Sequence, residues 1–435
     1  MKMKILLALS LFLTLINFTA NPQTKPEEKS PVLIEANPES VGISSFRLSK
    51  IDSMCVTAIK KGDLPGVVTF VARKGKIIHW KAFGLADIQS GRTLKRDDIF
   101  RFASQTKAIT ATAVMMLWED GKFKLDDPIS KFVPEFQNPR VINTFQYSDT
   151  SYTTRAAKSE ITIRQLLTHT SGIGYGIIDK DERMKMIYRK AGITDAFTEK
   201  SINLGENIRK LARLPLHHNP GEKYTYSEGL DVLGYLIEII SGQPLDQFLK
   251  AHIFDPLGMN DTRFYYPEKF SSRLVAIHQP DGLGGWEKAP ATWFNPNYPV
   301  QGAKTYFSGG GGLCGTAKDY AIFLQMYLNG GEYNGVRLLS RTTVDFMMDN
   351  QIGNLWGEKP DKVYGVAFAV VTPEGKAKGG IGNVGTFEGG GIFFTHYFAD
   401  PKEKVIGIIL KQLQGRVRDD TSSQFRMYVG QSIND

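Results

Sequence analysis

The sequence predicts an α+β fold: an antiparallel sheet flanked by helices and built from both ends of the chain, with an all-helical lobe inserted between. Three observations point there. A helical apolar stripe over 41–61 runs directly into two strand-like runs separated by a basic turn. The interior, about 104–314, is dominated by helical patterns with their caps and stops. Strand-like runs then return over 363–371, 391–398 and 405–413. A helix laid on a meander is α+β; a doubly wound parallel sheet would instead alternate strand and helix.

The elements follow in order. Residues 1–20 read as a signal peptide, because Lys2 and Lys4 precede an apolar run over 5–16. That run is shorter than the roughly 20 residues that span a bilayer. Residues 21–36, rich in Pro, Lys, Glu, Ser and Gln, read as a disordered spacer. Ser44-Ser45 can cap the helix over 41–61, whose stripe is Phe46, Leu48, Ile51, Met54, Cys55 and Ile59. Leu64-Pro65-Gly66 stops it. The runs 67–72 and 77–84, joined by Arg73-Lys74-Gly75-Lys76, make an antiparallel hairpin.

Beyond a polar connection, 108–118 is a helix rich in Ala, Met and Leu, closed by Gly121. The long polar stretch 138–159, rich in Ser, Thr and Tyr, reads as a surface loop. Helices are expected over 163–167, 206–214, 230–241 and 245–254. A glycine-rich loop over 295–315 leads to another over 317–328, and a last helix covers 421–433.

Composition narrows the function classes. Hydrophobic content of 42% and charged content of 23% are ordinary for a globular chain, and roughly 400 residues suffice for a large core. The net charge of +8 is scattered, without a long basic block. That favours solubility and attraction to an anionic envelope surface, and excludes nucleic acid as a partner. The only two cysteines, Cys55 and Cys314, are no disulfide framework and read as buried thiols. His217-His218 has no second ligand motif beside it, so no metal site is expected.

The chemistry centres on Phe102-Ala103-Ser104-Gln105-Thr106-Lys107, the only S-x-x-K in the chain. Ser104 and Lys107 stand at i and i+3 where a helix begins, so they share a face and the ammonium can reach the hydroxyl. Taken alone, the pair is equally a helix cap followed by a lysine. Tyr226-Ser227-Glu228 lies between a Pro-Gly turn and a helix, and a tyrosine hydroxyl beside an ammonium can act as general base. His169 has no G-x-S-x-G elbow to serve, and its expected role is to hydrogen-bond buried backbone. The run 309–312 lacks the Gly-Lys-Ser/Thr of a phosphate loop; its glycines let backbone approach a cleft. The glycine-rich stretch 382–391, beside a strand, could aim a backbone N–H at a bound carbonyl.

In their order along the chain these motifs resemble one family over about 37–435: serine hydrolases related to class C β-lactamases and penicillin-binding D,D-peptidases. The matching pieces are the Ser104–Lys107 segment, Leu166-Leu167-Thr168-His169-Thr170-Ser171-Gly172 and Pro220-Gly221-Glu222-Lys223-Tyr224-Thr225-Tyr226-Ser227. Pro256-Leu257-Gly258-Met259, Gly310-Gly311-Gly312-Leu313 and Thr316-Ala317-Lys318-Asp319 complete them. The resemblance implies a β-lactamase/transpeptidase-like fold, with an α/β lobe over about 37–103 and 315–435 and a helical lobe over about 104–314. It implies that Ser104 is acylated, that Lys107 and Tyr226 handle its proton, and that no cofactor is needed. It places the oxyanion and substrate-binding groups at the Ser104 N–H, Asn383, Gly385 and Thr386.

Two departures bear on the substrate. Family β-lactamases and D,D-peptidases carry Tyr-x-Asn where this chain has Tyr226-Ser227-Glu228. They carry Lys-Thr-Gly, which binds the substrate carboxylate, where it is expected to have Asn383-Val384-Gly385. With Asp231-Val232-Leu233-Gly234 following, the chain is most similar to the esterase branch, the family VIII carboxylesterases. The expectation is an exported, periplasmic or secreted hydrolase of small esters. A β-lactamase or D-amino-acid peptidase acting on envelope peptides, and a non-catalytic peptidoglycan- or penicillin-binding sensor, remain open at this point.

Overall fold

The computed structural model describes residues 30–415, 417 and 419–435; the expected signal peptide lies outside them. Its main sheet joins the two ends of the chain. The order runs Ile34–Glu35, Lys76–Asp87, Gly66–Arg73, Val405–Leu410, Thr395–Asp400, Phe387–Gly391, Ala369–Val371, Lys362–Tyr364, with Arg92–Thr93 on the side of Lys76–Asp87. The seam is Gly66–Arg73 against Val405–Leu410, paired from Arg73 with Val405 to Val68 with Leu410. Both strands are buried throughout, as central strands covered on both faces must be, which is why they read as near-continuous apolar runs.

Alternation along the seam sorts its side chains into two layers. Val67, Val71 and Ile409 pack with Ile51, Met54 and Cys55 of the helix Lys50–Lys60 and with Phe425 and Val429 of Thr421–Ser432. Val68, Phe70, Ala72, Ile408 and Leu410 face the larger core containing the helices Ala317–Leu328 and Thr106–Glu119. In Thr106–Glu119 every residue from Thr106 to Met115 is buried. It is a central helix, buried all round over its first ten residues and packed against Gly229–Ser241.

Several expectations are corrected. The sheet is mixed, because Ile34–Glu35, inside the expected spacer, pairs parallel with Lys76 and Ile77. Residues 138–159 form a hairpin, Arg140–Phe145 with Tyr152–Ala156. Its polar face concealed the alternation: Thr144 and Thr153 pair across the strands at 2.6 Å while Val141 and Ile142 are buried. The run 363–371 is two strands bent between them, with Ala367 at φ 64°. The run 391–398 is split by a tight turn with Phe394 at φ 63°. The helix at 245–254 is α-helical only over Leu245–Leu249 and continues as a π turn over Lys250–Phe254; Pro256, without an N–H and clashing one turn back, cannot continue a regular ladder. Helices Glu182–Ala191 and Arg341–Met348 were not anticipated.

Cys55 and Cys314 are free and buried, as expected. Burial pushes their thiols up to about 12 and about 11.

Candidate active site

Ser104 sits in a 3₁₀ turn, Ala103–Gln105, that feeds the central helix Thr106–Glu119. Ala103 before it has φ 47°, a left-handed conformation that costs a non-glycine residue and that the surrounding contacts must enforce. Phe102 N–H donates to Leu313 O (2.9 Å), and Leu313 N–H donates to Thr106 Oγ1 (3.1 Å). The start of the helix is thereby bound to the glycine-rich run. At this terminus the unpaired amides and the helix dipole favour negative charge on a group beside Ser104.

Lys107 follows one turn later and is 3% exposed. Its Nζ donates to Gly310 O at 2.7 Å and to Tyr175 Oη at 2.8 Å, and lies 4.6 Å from the centre of the Tyr226 ring. Tyr175 stacks on Tyr226 with ring centres 5.5 Å apart and planes inclined by 28°. Burial, with Tyr226, Asp231, Glu228 and Asp195 around it, pushes the Tyr175 phenol well above its ordinary value. Tyr175 is therefore a neutral partner that holds the ammonium.

Tyr226, far along the chain, is thus brought beside Lys107, and Ser104 lines one pocket with Tyr175 and Gly310, the two residues that hold the Lys107 side chain. Gly310 and Gly311 line the pocket beside Ser104. Glycine is required where this run crosses the helices: a Cβ at Gly309 would lie 3.1 Å from Thr110 Cγ2 and would overlap the Leu230 carbonyl. Gly310 is held on two sides. Its carbonyl accepts from Lys107, and it lies so close to the buried Asp231 that a Cβ at Gly310 would overlap the carboxyl oxygen.

His169 is fully buried, and its Nδ1 accepts the Ser227 N–H at 3.2 Å. Its ring packs 4.6 Å from that of Tyr226. Burial and the Lys107 charge hold the imidazole well below its ordinary value, so it stays neutral and positions the Tyr226-Ser227 segment. His217 pairs with Asp179 at 2.9 Å, and among the described residues no cluster of potential metal ligands occurs.

The residues expected to form the oxyanion strand, Asn383, Gly385 and Thr386, are bonded away from Ser104. Asn383 donates through Nδ2 to Asp400 (2.9 Å), Gly385 N–H donates to Val371 O (3.0 Å), and Thr386 N–H donates to Asn383 O (3.0 Å). These groups are spent on their own turn and on the neighbouring strands Thr395–Asp400 and Ala369–Val371. They stand at the far end of Phe387–Gly391 from Ser104, a strand about 17 Å long. The end that meets Ser104 is Gly391. A Cβ there would overlap the Phe102 carbonyl and lie 3.2 Å from Ala103 Cβ, and Ile392 lines the pocket beside Ser104. Three consecutive glycines, 389–391, were the available signal; a strand interior that omits three side chains marks close backbone approach.

The pocket is narrow, about 40 Å³, and its walls are Ala103, Tyr175, Ile177, Ile178, Ala196, Phe197, Trp293 and Ile392. Phe197 stacks between Trp293 (5.9 Å) and Tyr298 (4.5 Å). Asp195 is the one charged residue lining it. Tyr175, Asp195 and the aromatic wall carried no motif, and only the folded chain assembles them.

A β-lactamase family model matches residues 51–428, nearly the whole described chain. The chain belongs to the β-lactamase family. Within that family it is 32% identical to esterase EstB of Burkholderia gladioli over 370 residues, covering 81% of this chain and 87% of the other. It is 27% identical to a putative D-alanyl-D-alanine carboxypeptidase of Escherichia coli K12, covering 79% and 76%. Among solved structures it is similar to EstCE1, described as a hydrolase with promiscuous acyltransferase activity, with a TM-score of 0.74 and 26% identity over 88% of this chain and 98% of that one. This β-lactamase-family chain is a serine hydrolase with the β-lactamase/transpeptidase-like fold.

Proposed function

We propose that this serine hydrolase is an esterase acting on small, uncharged or weakly charged esters through an acyl-enzyme formed at Ser104. The observation that carries the reading is the pocket wall. Six of its residues are bulky and apolar or aromatic (Tyr175, Ile177, Ile178, Phe197, Trp293, Ile392), and the only charge among its lining residues is the Asp195 carboxylate. A β-lactam or a D-alanyl peptide brings a carboxylate. Here that group would meet a like charge and no cation among the lining residues, the Lys107 ammonium being held behind Tyr175 and Gly310.

In this reading Ser104 Oγ attacks the acyl carbon while Tyr226 takes its proton and returns it to the departing alcohol. Lys107, held by Gly310 and Tyr175, supplies the positive charge against which that proton moves. In the same reading the backbone N–H groups of Ser104 and Ile392 receive the oxyanion; that both residues line the one pocket supports the pairing. Water then enters by the same route, with Tyr226 as base, and releases the acid. The basic and apolar pattern of residues 1–20 supports export to the periplasm or medium, where envelope components would be neighbours.

The test is turnover of p-nitrophenyl acetate and butyrate beside nitrocefin and a D-alanyl-D-alanine peptide. Ester turnover should dominate, and Ser104→Ala should abolish it together with labelling by a fluorophosphonate. An unchanged rate in Ser104→Ala would remove the nucleophile; nitrocefin turnover exceeding that of the esters would replace the esterase by a β-lactamase.

A further inference from the structure

Glu228 follows Tyr226-Ser227 at the start of the helix Gly229–Ser241 and is 1% exposed. Neither of its side-chain oxygens has a hydrogen-bond partner. Its backbone N–H is bonded to Gly174 O, two residues before the Gly176 whose N–H donates to Asp195, and its charged neighbours are Asp195, whose carboxyl lies beside it, and Asp231, both acidic. Two carboxyl groups in contact, one of them in a dry site with no cation, cannot both be ionised. Burial and these neighbours push the Glu228 carboxyl well above its ordinary value.

Around this contact the loop bearing Tyr175 is held residue by residue. Gly174 N–H donates to Tyr188 Oη (3.2 Å), Tyr175 N–H to Asp179 (2.9 Å), Gly176 N–H to Asp195 (3.2 Å) and Ile177 N–H to Asp195. Gly174 O in turn accepts the Glu228 N–H at 3.1 Å. A side chain at Gly176 would strike the Asp195 oxygens at 2.6 and 2.7 Å, so the loop lies flat on that carboxylate. Asp195 therefore holds the loop of Tyr175, and Glu228 stands on the segment of Tyr226.

We propose that Glu228 and Asp195 share a single proton and act as a positioning pair, clamping the segment that carries Tyr226 to the loop that carries Tyr175. The proposal rests on Ser104, Lys107 and Tyr226 being the reaction centre. Glu228 Oε–H donates to Asp195, which also accepts the two loop amides. Loss of that proton puts two negative charges in contact. Asp195 is then driven from Gly176 and Ile177, the loop shifts, and Tyr175 Oη leaves Lys107 Nζ. The other titratable groups facing the pair are Tyr175 and Tyr188 from the loop and its following helix, Tyr306 from the segment before the glycine run, and Asp231.

Sign and stability follow from linkage. An acid whose folded value is raised makes its full contribution below its unfolded value, and that contribution is lost as pH rises towards the folded value. Replacing Glu228 by an uncharged amide should therefore raise the melting temperature more at pH 8 than at pH 5.

The experiment is infrared spectroscopy of the full chain in ²H₂O, paired with pH profiles of kcat for p-nitrophenyl acetate. The spectrum at pH 8 should show the C=O stretch of a protonated carboxyl in the wild type and in Ser104→Ala, and Glu228→Gln should lose it. Glu228→Gln, whose amide still donates to Asp195, should keep kcat within about threefold at pH 7 and carry it about one pH unit further into the alkaline range. Glu228→Leu, which cannot donate, should lose tenfold or more in kcat at every pH. A wild-type spectrum identical to that of Glu228→Gln, superimposable pH profiles, or a fully active Glu228→Leu each overturns the proposal. Because Ser104→Ala keeps the infrared band, failure of the nucleophile assignment and failure of the proton-sharing pair give different results.

Discussion

Gly391→Ala should disable the reaction without disturbing the nucleophile. The strand Phe387–Gly391 runs against the turn that carries Ser104, and Gly391 is the point of closest approach. A Cβ there would overlap Phe102 O and would stand 2.7 Å from Thr395 Oγ1 and 3.2 Å from Ala103 Cβ. A carbon and an oxygen rest at about 3.3 Å or more, so strand and turn must separate by about 1 Å. Neither partner yields easily, since Phe102 is held by Leu313 and the strand by its register with Thr395–Asp400. The displacement falls on the N–H of Ile392, the proposed second oxyanion donor. Loss of one such donor costs about 10²–10³ in kcat, and a 1 Å misplacement of a positioned group about 10². Steady-state kinetics with p-nitrophenyl acetate should therefore show kcat down by about 10²–10³ with KM little changed. Fluorophosphonate labelling of Ser104 should slow in parallel. Gly430→Ala, on the last helix with open space around it, is the control and should change neither. A Gly391→Ala variant within about threefold of wild type would refute the placement of the oxyanion site at this end of the strand.

Further outcomes are expected. Tyr226→Phe should lower kcat about 10²–10⁴-fold, the usual contribution of a general acid–base group, in the same assay. Tyr175→Phe removes one of the two oxygens that hold Lys107, and hydrogen bonds to charged groups contribute about 1.5–3 kcal/mol. Its kcat should therefore fall roughly tenfold to a hundredfold. Lys411→Met strips the partner from Asp419, whose side chain is 2% exposed, and should destabilise the protein by about 3–5 kcal/mol in denaturant unfolding; Lys411→Met with Asp419→Leu should recover most of that. Neither Cys55 nor Cys314 should react with a disulfide reagent in the native state at neutral pH, since both are buried with thiols pushed up to about 12 and about 11. Both should react after unfolding in guanidinium.

Local chemistry determined a good part of this protein before any tertiary contact was considered. The hairpin Gly66–Arg73/Lys76–Asp87, the helices Ile163–Leu167 and Ala317–Leu328, and the i/i+3 pair Ser104–Lys107 are written in spacing, caps and apolar period, which act over a few residues. The identity of the family rested on the order of several such local motifs. Tertiary structure decided the rest, because the deciding interactions join residues with no common local pattern. Tyr175 meets Lys107 across 68 positions of chain, and Gly310 meets it across 203.

The oxyanion register shows the same division. Both Asn383-Val384-Gly385 and Gly389-Gly390-Gly391 are plausible glycine-bearing strand segments. What separates them is that only Gly391 is pressed against Phe102 and Ala103, a contact between chain segments nearly 300 residues apart. The Asp195–Glu228 contact was equally invisible, since Asp195 carries no motif and no local pattern joins it to the glutamate after Tyr226-Ser227. Sequence, then, determined the fold and the Ser104–Lys107 pair through short-range propensity. The pocket's charge, the holder of the lysine and the strand end that meets Ser104 were decided by packing, where desolvation and sub-ångström fit set the energies.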